Sequence, residues 1–376
     1  MPEVVLLCEH ATLNGGERSA LAALPGLQAE GFEIVALAPP SGPLASALAQ
    51  QDVEVIAFEA GSRAVSHAGS RSWRSVLRQR LAHLLGTRRP ALVHANSLSM
   101  ARLAGPVAAE LGLPSLAHLR DIVRLSRPGV EQLNAHRRLL AVSQATRDYH
   151  LAQGVSAEKT FVLHNGVDLQ RFQPRRPTGW LHARLGLPPQ AVLVGTIGQL
   201  VMRKGHDILA QAAAMLSDVP HLHWVIAGSR YSVKEEAVRY EAQLHATFAA
   251  AGLSRRVHFL GTVDYVAELL NELTLLIHPA RQEPLGRVLL EAAAAELAMV
   301  ASDVGGTREI LAAESWPACL VRPGDPQALA LAARRLLDDP QQRRLLGQSN
   351  RHQAEAVFDV RRTAAVLAQH YRELCD

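Results

Sequence analysis

Residues 277–311 read IHPARQEPLGRVLLEAAAAELAMVASDVGGTREIL, and the reading of this stretch decides the fold of the whole chain. An apolar run ends at His278, a Pro-Leu-Gly turn occupies Pro284 to Gly286, and an Ala-rich amphipathic segment follows from Arg287 to Leu297. A second apolar run begins at Met299. The order is strand, loop, helix, strand. Pro284 is excluded from a helix interior and Gly286 frees the backbone just ahead of Val-Leu-Leu, so the helix starts at Gly286 or Arg287. Amides in the first turn of a helix lack intrahelical acceptors and lie at the positive end of the dipole. Leu285, Gly286, Arg287 and Val288 are therefore candidates to hold a phosphate or diphosphate.

Glu283 precedes that helix start and Glu291 lies eight positions further on, inside the helix. Two carboxylates that accept hydroxyl hydrogen bonds on either side of a diphosphate suit a nucleoside diphosphate sugar, with ribose at one and hexose at the other. The plainer alternative is an amphipathic helix with a buried Ala face and solvated glutamates. Glu283-Pro-Leu-Gly-Arg-Val-Leu-Leu-Glu291, followed by Val300-Ala-Ser-Asp-Val-Gly-Gly306, resembles the Glu-x7-Glu signature of retaining glycosyltransferases of the GT-B fold, closest to glycosyltransferase family 4. The resemblance implies Glu283 at the transferred sugar and Glu291 at the ribose. It also implies two Rossmann-like domains facing across a cleft.

A chain of 376 residues has room for two ordinary cores. In the first half the apolar runs Val4–Cys8, Glu33–Ala38, Val53–Phe58, Ala91–Ala95, Ser115–His118, Leu139–Ser143 and Thr160–His164 alternate with helical patterns, which predicts a parallel sheet covered on both faces. The proline-rich segment Leu169–Gln190 breaks that rhythm and is the linker candidate. Alternation resumes from Ala191 to the last helix. The expected division is an acceptor-binding Rossmann-like domain over 1–170 and a nucleotide-sugar-binding one over 171–358. Residues 359–376 form a C-terminal helix that, by the resemblance, crosses back to the first domain.

Three further constellations follow. Asn14-Gly15-Gly16-Glu17 opens the first helix, and paired glycines let the backbone approach a phosphate or sugar; the family places such a loop over the donor diphosphate. Val194-Gly-Thr-Ile-Gly-Gln-Leu-Val-Met-Arg-Lys-Gly205 resembles the family's strand-loop segment, with Lys204 and Gly205 matching and Gln199 standing where many relatives have Arg. Arg203 beside Lys204 is the expected replacement, because the two charges of a departing diphosphate need cationic compensation. His118, at the end of a predicted strand, is a structural histidine on its own, and the resemblance implies contact with the transferred sugar. Asn96 is a candidate for the acceptor side. His118, Arg203, Lys204 and Glu283 are the expected catalytic set.

No metal-ligand spacing is present, and Cys8, Cys319 and Cys375 read as reduced thiols. The expectation is a metal-independent enzyme with no cofactor beyond its UDP- or GDP-linked donor. The net charge is +4, and with only three lysines 36 of the 39 basic residues are Arg, a compositional bias that does not point to nucleic acid. Arg63, Arg71, Arg74, Arg78, Arg80, Arg88 and Arg89 surround Trp73 and several leucines. Such a basic amphipathic helix rests on anionic lipid, grips a phosphorylated acceptor, or is a solvated face. Without a spanning run or secretory signal, the expected location is cytoplasmic, with the inner membrane face as the site of any peripheral association. The acceptor class extends to lipid-linked and phosphorylated molecules. Alternatives are a related sugar-nucleotide epimerase, a phosphorylase, or a non-catalytic glycosyltransferase-like subunit.

Overall fold

The computed structural model describes residues 1–60 and 70–375, with the side chains of residues 70–72 outside the description. Arg63 and the side chain of Arg71 therefore lie outside the described residues. The chain divides into two compact units, Met1–Gly166 with Val360–Asp376, and Val167–Asp359. The break falls at Gly166/Val167 and Asp359/Val360, a few residues before and one after the boundaries drawn from sequence.

The first unit contains β1 (Glu3–Leu7), α1 (Gly15–Ala29), β2 (Glu33–Ala38), α2 (Pro43–Ala49), β3 (Glu54–Ala57), α3 (Ser70–Arg88) and β4 (Leu92–Ala95). It continues through α4 (Leu98–Glu110), β5 (Ser115–Leu119), α5 (Arg127–Asn134), β6 (Arg138–Ala141), α6 (Gln144–Leu151) and β7 (Thr160–Val162). The strands pair in parallel in the order β3-β2-β1-β4-β5-β6-β7. Alternate residues of each strand enter different cores. Val5, Leu7, Val93 and Ala117 pack in the layer beneath α3 and α4, while Val4, Leu6, Leu92 and Leu116 pack with Leu24, Leu27 and Tyr371. A sheet buried on both faces explains why its strands read as continuous apolar runs.

The second unit runs through α7 (Trp180–Leu185), β8 (Val192–Ile197), α8 (His206–Ala214), β9 (Leu222–Ala227), α9 (Glu235–Ala250), β10 (Val257–Gly261) and α10 (Val266–Glu272). After these come β11 (Leu275–His278), α11 (Arg287–Ala294), β12 (Met299–Ser302), α12 (Thr307–Ile310), α13 (Trp316–Cys319), β13 (Leu320–Val321), α14 (Pro326–Asp338) and α15 (Pro340–Val357). The parallel order is β10-β9-β8-β11-β12-β13. Strand order therefore reverses between β1 and β4 in one sheet and between β8 and β11 in the other. In open sheets of this kind the crevice at the carboxyl end of that switch point is where ligands bind.

The last helix, α16 (Val360–Cys375), belongs to the first unit and packs along α1. The linker reading of Leu169–Gln190 is corrected, because this segment is part of the second unit. The carboxylate of the buried Glu272 accepts from the Thr178 and Gly179 amides, and Leu181 of α7 is fully buried. All three cysteines are free thiols, and burial, with the nearby Glu17 carboxylate adding, pushes Cys8 up to about 12. No described helix is long and apolar enough to cross a membrane.

Candidate active site

In the second unit, the loops that leave β8 and β11 meet at the switch point. The first carries Arg203 and Lys204 and ends at Gly205, whose φ of +69° and position against the Pro279 carbonyl exclude any side chain. The second carries His278 through Glu283. The backbone amide of Arg281 donates to the Arg203 carbonyl at 2.8 Å, and the Arg281 guanidinium grips both oxygens of Asp207 at 2.7 and 2.6 Å. Tyr240 donates to the same Asp207 at 3.0 Å. These bonds set the two loops in register.

The centre of the arrangement is Glu283, which is 6% exposed. Its Oε2 accepts from Lys204 Nζ and, at 2.8 Å, from His278 Nε2. Burial alone would raise this carboxyl. The Lys204 ammonium and the His278 hydrogen bond outweigh burial and hold it far below the usual carboxylate range. Burial, with Lys204 and Arg203 adding, lowers His278 despite the opposing pull of Glu283, so the ring donates in its neutral form. Because both donors converge on Oε2, Oε1 has no donor among the described residues. A carboxylate fixed in this way keeps one oxygen for a hydroxyl.

The helix α11 begins at Arg287 as the Pro-Leu-Gly turn predicted. Gly286 has a φ of +106°, and a Cβ there would press on Leu289 and Glu283. Its carbonyl receives the Leu289 and Leu290 amides, which leaves the amide dipoles before them at the helix start. Glu291 is buried one turn in, and Arg287 Nε donates to its Oε1 at 2.8 Å. Its Oε2 has no donor among the described residues. Leu285 and Val288 are buried beside this turn. The Arg203 side chain is exposed and makes no hydrogen bond or ion pair among the described residues, and the Gln199 side chain likewise has none.

In the first unit, Gly15 and Gly16 start α1 after β1, and Asn96 follows β4 across the switch point. Asn96 Nδ2 donates to the Gly16 carbonyl at 3.2 Å. Arg120 reaches the Asn96 carbonyl at 3.0 Å and its side-chain oxygen at 2.9 Å, and also binds Asn165. His118 is the penultimate residue of β5 and is 3% exposed, with Nδ1 engaged by His94 and no partner for Nε2 among the described residues. The arginines of α3 divide by role. Arg88 pairs with Glu3 and Glu54, and Arg80 donates to the Ala57 carbonyl, so both tie the helix to the sheet edge. Arg74, and Arg89 just past the end of the helix, are exposed.

Sequence reasoning missed His278, Arg281 and Asp207. The five-residue spacing from His278 to Glu283 across Pro279 was a usable signal. The Arg281–Asp207 clamp spans 74 residues and left none.

Two Rossmann-like units, each built on an open parallel sheet, fit the GT-B class of glycosyltransferases. Residues 13–171 match the family described as Glycosyltransferase Family 4, and residues 181–353 match Glycosyl transferases group 1. The chain belongs to GT-B glycosyltransferase family 4.

Among relatives, a lipopolysaccharide core biosynthesis mannosyltransferase from Rhizobium leguminosarum bv. viciae is 33% identical over 57% of this chain and 59% of its own length. A D-inositol 3-phosphate glycosyltransferase from Streptomyces bingchenggensis is 32% identical over 76% of this chain and 62% of its own. The chain thus matches about three fifths of the length of these relatives. The Anabaena protein HepE, solved with UDP and glucose, superposes with a TM-score of 0.85 at 22% identity over 100% of both chains, a likeness of fold.

Proposed function

We propose that this protein is a retaining hexosyltransferase of glycan or glycoconjugate biosynthesis, moving a hexose from a UDP- or GDP-linked donor to an acceptor hydroxyl. The observation that supports it most is the Glu283 carboxylate: buried, kept ionised by Lys204 and His278, and open at one oxygen, at the strand ends beside the start of α11. In this reading Glu283 accepts from a hydroxyl of the sugar and Glu291 from the ribose. The diphosphate lies on the α11 amides and is compensated by Arg203 and Lys204. Gly15, Gly16 and His118 are the residues of the first unit that the family resemblance assigns to the donor. The bond from the anomeric carbon to the diphosphate oxygen breaks as the bond to the acceptor oxygen forms on the same face. The hydroxyl proton passes to the departing diphosphate. Cations that meet the growing charge lower this barrier without a metal ion or a cofactor.

The first unit is proposed to bind the acceptor and the second the nucleotide sugar. Relatives named for lipopolysaccharide core and inositol phosphate chemistry favour an acceptor that is lipid-linked or phosphorylated. The exposed Arg74 and Arg89 of the α3 region support peripheral contact with anionic lipid. The test is incubation of the full chain with UDP- and GDP-hexoses, reading nucleoside diphosphate release and calorimetric binding. Release or binding in one nucleotide series supports the reading. Epimerised donor without release points to the epimerase alternative, and no binding to any nucleotide overturns both.

A further inference from the structure

Three side chains far apart in sequence form a buried line through the first unit. The Tyr371 hydroxyl of α16 lies 2.6 Å from His94 Nδ1, and His94 Nε2 lies 2.7 Å from His118 Nδ1. Tyr371 is 1% exposed, His94 2% and His118 3%. His94 is paired with Leu116 across β4 and β5, which puts His118, two residues on, on the same face of the sheet under α16. Burial, with Arg120 and His136 adding, lowers His94 to about 3, and burial with Arg120 and His94 holds His118 well below the ordinary range. Burial raises Tyr371. Each imidazole is therefore neutral with one ring proton, and the phenol keeps its own.

With one proton per group the line runs one of two ways. In the first, Tyr371 donates to His94 Nδ1, His94 Nε2–H donates to His118 Nδ1, and the His118 proton sits on Nε2. In the second, every bond is reversed, and the Tyr371 proton has no acceptor among the described residues. A water in the cavity of about 20 Å³ beside these rings would have to take it. Each direction leaves one donor without a partner among the described residues, His118 Nε2–H in the first and Tyr371 O–H in the second. The first is favoured because a phenol is the better donor and an imidazole nitrogen the better acceptor across the 2.6 Å contact.

We propose that Tyr371 and His94 are positioning residues that fix the His118 imidazole as its Nε2–H tautomer, so that the C-terminal helix sets which hydrogen-bonding atom His118 offers. Of the four ring nitrogens of His94 and His118, Nε2 of His118 is the one without a partner among the described residues, and it becomes a donor rather than an acceptor. The glycosyl-transfer reading is needed only for what receives that hydrogen bond, a hydroxyl oxygen of the transferred hexose. The line also gives a chemical reason for a tyrosine on a helix that leaves the second unit and returns to the first.

The test uses full-length protein carrying ¹⁵N-histidine, in two-bond proton–nitrogen correlation spectra at neutral pH, with His94 and His118 assigned from His94→Gln and His118→Gln. The parent shows His118 with a protonated-type Nε2 and an unprotonated-type Nδ1. Tyr371→Phe keeps the ring packing but removes the proton that starts the line, and the His118 Nε2 signal moves toward the unprotonated type. His94→Gln, whose amide accepts and donates in the same order, retains the parental His118 pattern, and His94→Leu loses it. With donor and acceptor in hand, turnover falls about tenfold in Tyr371→Phe and His94→Leu and stays within about twofold in His94→Gln. An unprotonated Nε2 in the parent, or a His118 spectrum indifferent to Tyr371→Phe, overturns the proposal. Parental tautomers with His118→Gln turning over normally leave the relay standing and remove His118 from the transfer reading instead.

Discussion

Replacing Lys204 by Met removes the ammonium of a side chain that is 14% exposed from a glutamate whose side chain is 8% exposed, and leaves the Glu283 carboxylate with His278 as its only donor among the described residues. Breaking a buried pair by deleting one partner costs about 3–5 kcal/mol, and the remaining His278 bond places this case near the lower figure. Glu283→Gln removes the charge from the other side. Lys204 keeps some access to water, so about 1–2 kcal/mol is expected there. The double variant has no uncompensated charge, so its loss is smaller than the sum of the single losses by on the order of 2 kcal/mol. The assay is thermal and urea unfolding of the four proteins, following the transition of the second unit, where each kcal/mol moves the midpoint by roughly 2–4 °C. The pH dependence has a defined sign. Glu283 has a folded pKa depressed below its ordinary 4.5, so its contribution is present above that pH and is lost as pH falls toward the depressed value. The deficit of Lys204→Met is therefore largest near neutrality and shrinks below about pH 4.5. Additive losses, or a deficit that is constant from pH 7 to pH 4, would refute the argument.

Glu291→Ala is expected to weaken binding of the free nucleoside diphosphate by about 1.5–3 kcal/mol, whereas Glu283→Ala mainly lowers turnover; calorimetry showing parental affinity for Glu291→Ala would exclude the ribose role. Arg203→Ala and Lys204→Ala should each lower turnover by up to on the order of 10²-fold, more than they weaken donor binding, and chelator should leave the parent rate unchanged. A silent Arg203→Ala, with activity gained in Gln199→Arg, would mean that Arg203 does not stand in for the family arginine. Burial holds His136 down to about 4, against an opposing bond to the Ala101 carbonyl, while the unfolded chain takes up that proton near 6.5. Below pH 6.5 the unfolded state binds more protons, so stability falls as pH drops from 6.5 toward 4. His136→Gln should flatten that slope by about 1.4 kcal/mol per pH unit in denaturant titrations; an unchanged slope refutes it.

The strands were legible because parallel strands buried on both faces leave apolar runs with few interruptions, as in Val4–Leu7 and Leu275–Ile277. The short helices α2, α5 and α7 were not. None exceeds eight residues, and their stability comes from side chains placed against a distant core, such as Leu44, Leu48 and Leu181. The mistaken linker has the same origin: prolines mark an irregular path, but only the fold shows Glu272 holding the Thr178 and Gly179 amides. Likewise, the Arg281–Asp207 clamp and the His94–Tyr371 contact join residues 74 and 277 positions apart.

The candidate site was legible as residues and not as atoms. Glu283, Glu291 and His118 could each be named from the pattern around them, but a carboxylate has two oxygens and an imidazole two nitrogens, and sequence does not distinguish them. The structure does so in the same way three times. Lys204 and His278 occupy Oε2 of Glu283, Arg287 occupies Oε1 of Glu291, and His94 occupies Nδ1 of His118, each time leaving the other atom without a partner among the described residues. An anchored atom fixes the rotamer before any ligand arrives, so ordering these side chains costs less when a hydroxyl meets the open atom. Loss of an anchor should then act through geometry: the binding atom is still present but held less firmly, which lowers turnover more than it weakens binding. That pattern would separate the supporting residues His278 and His94 from Glu291, whose loss removes the binding atom itself.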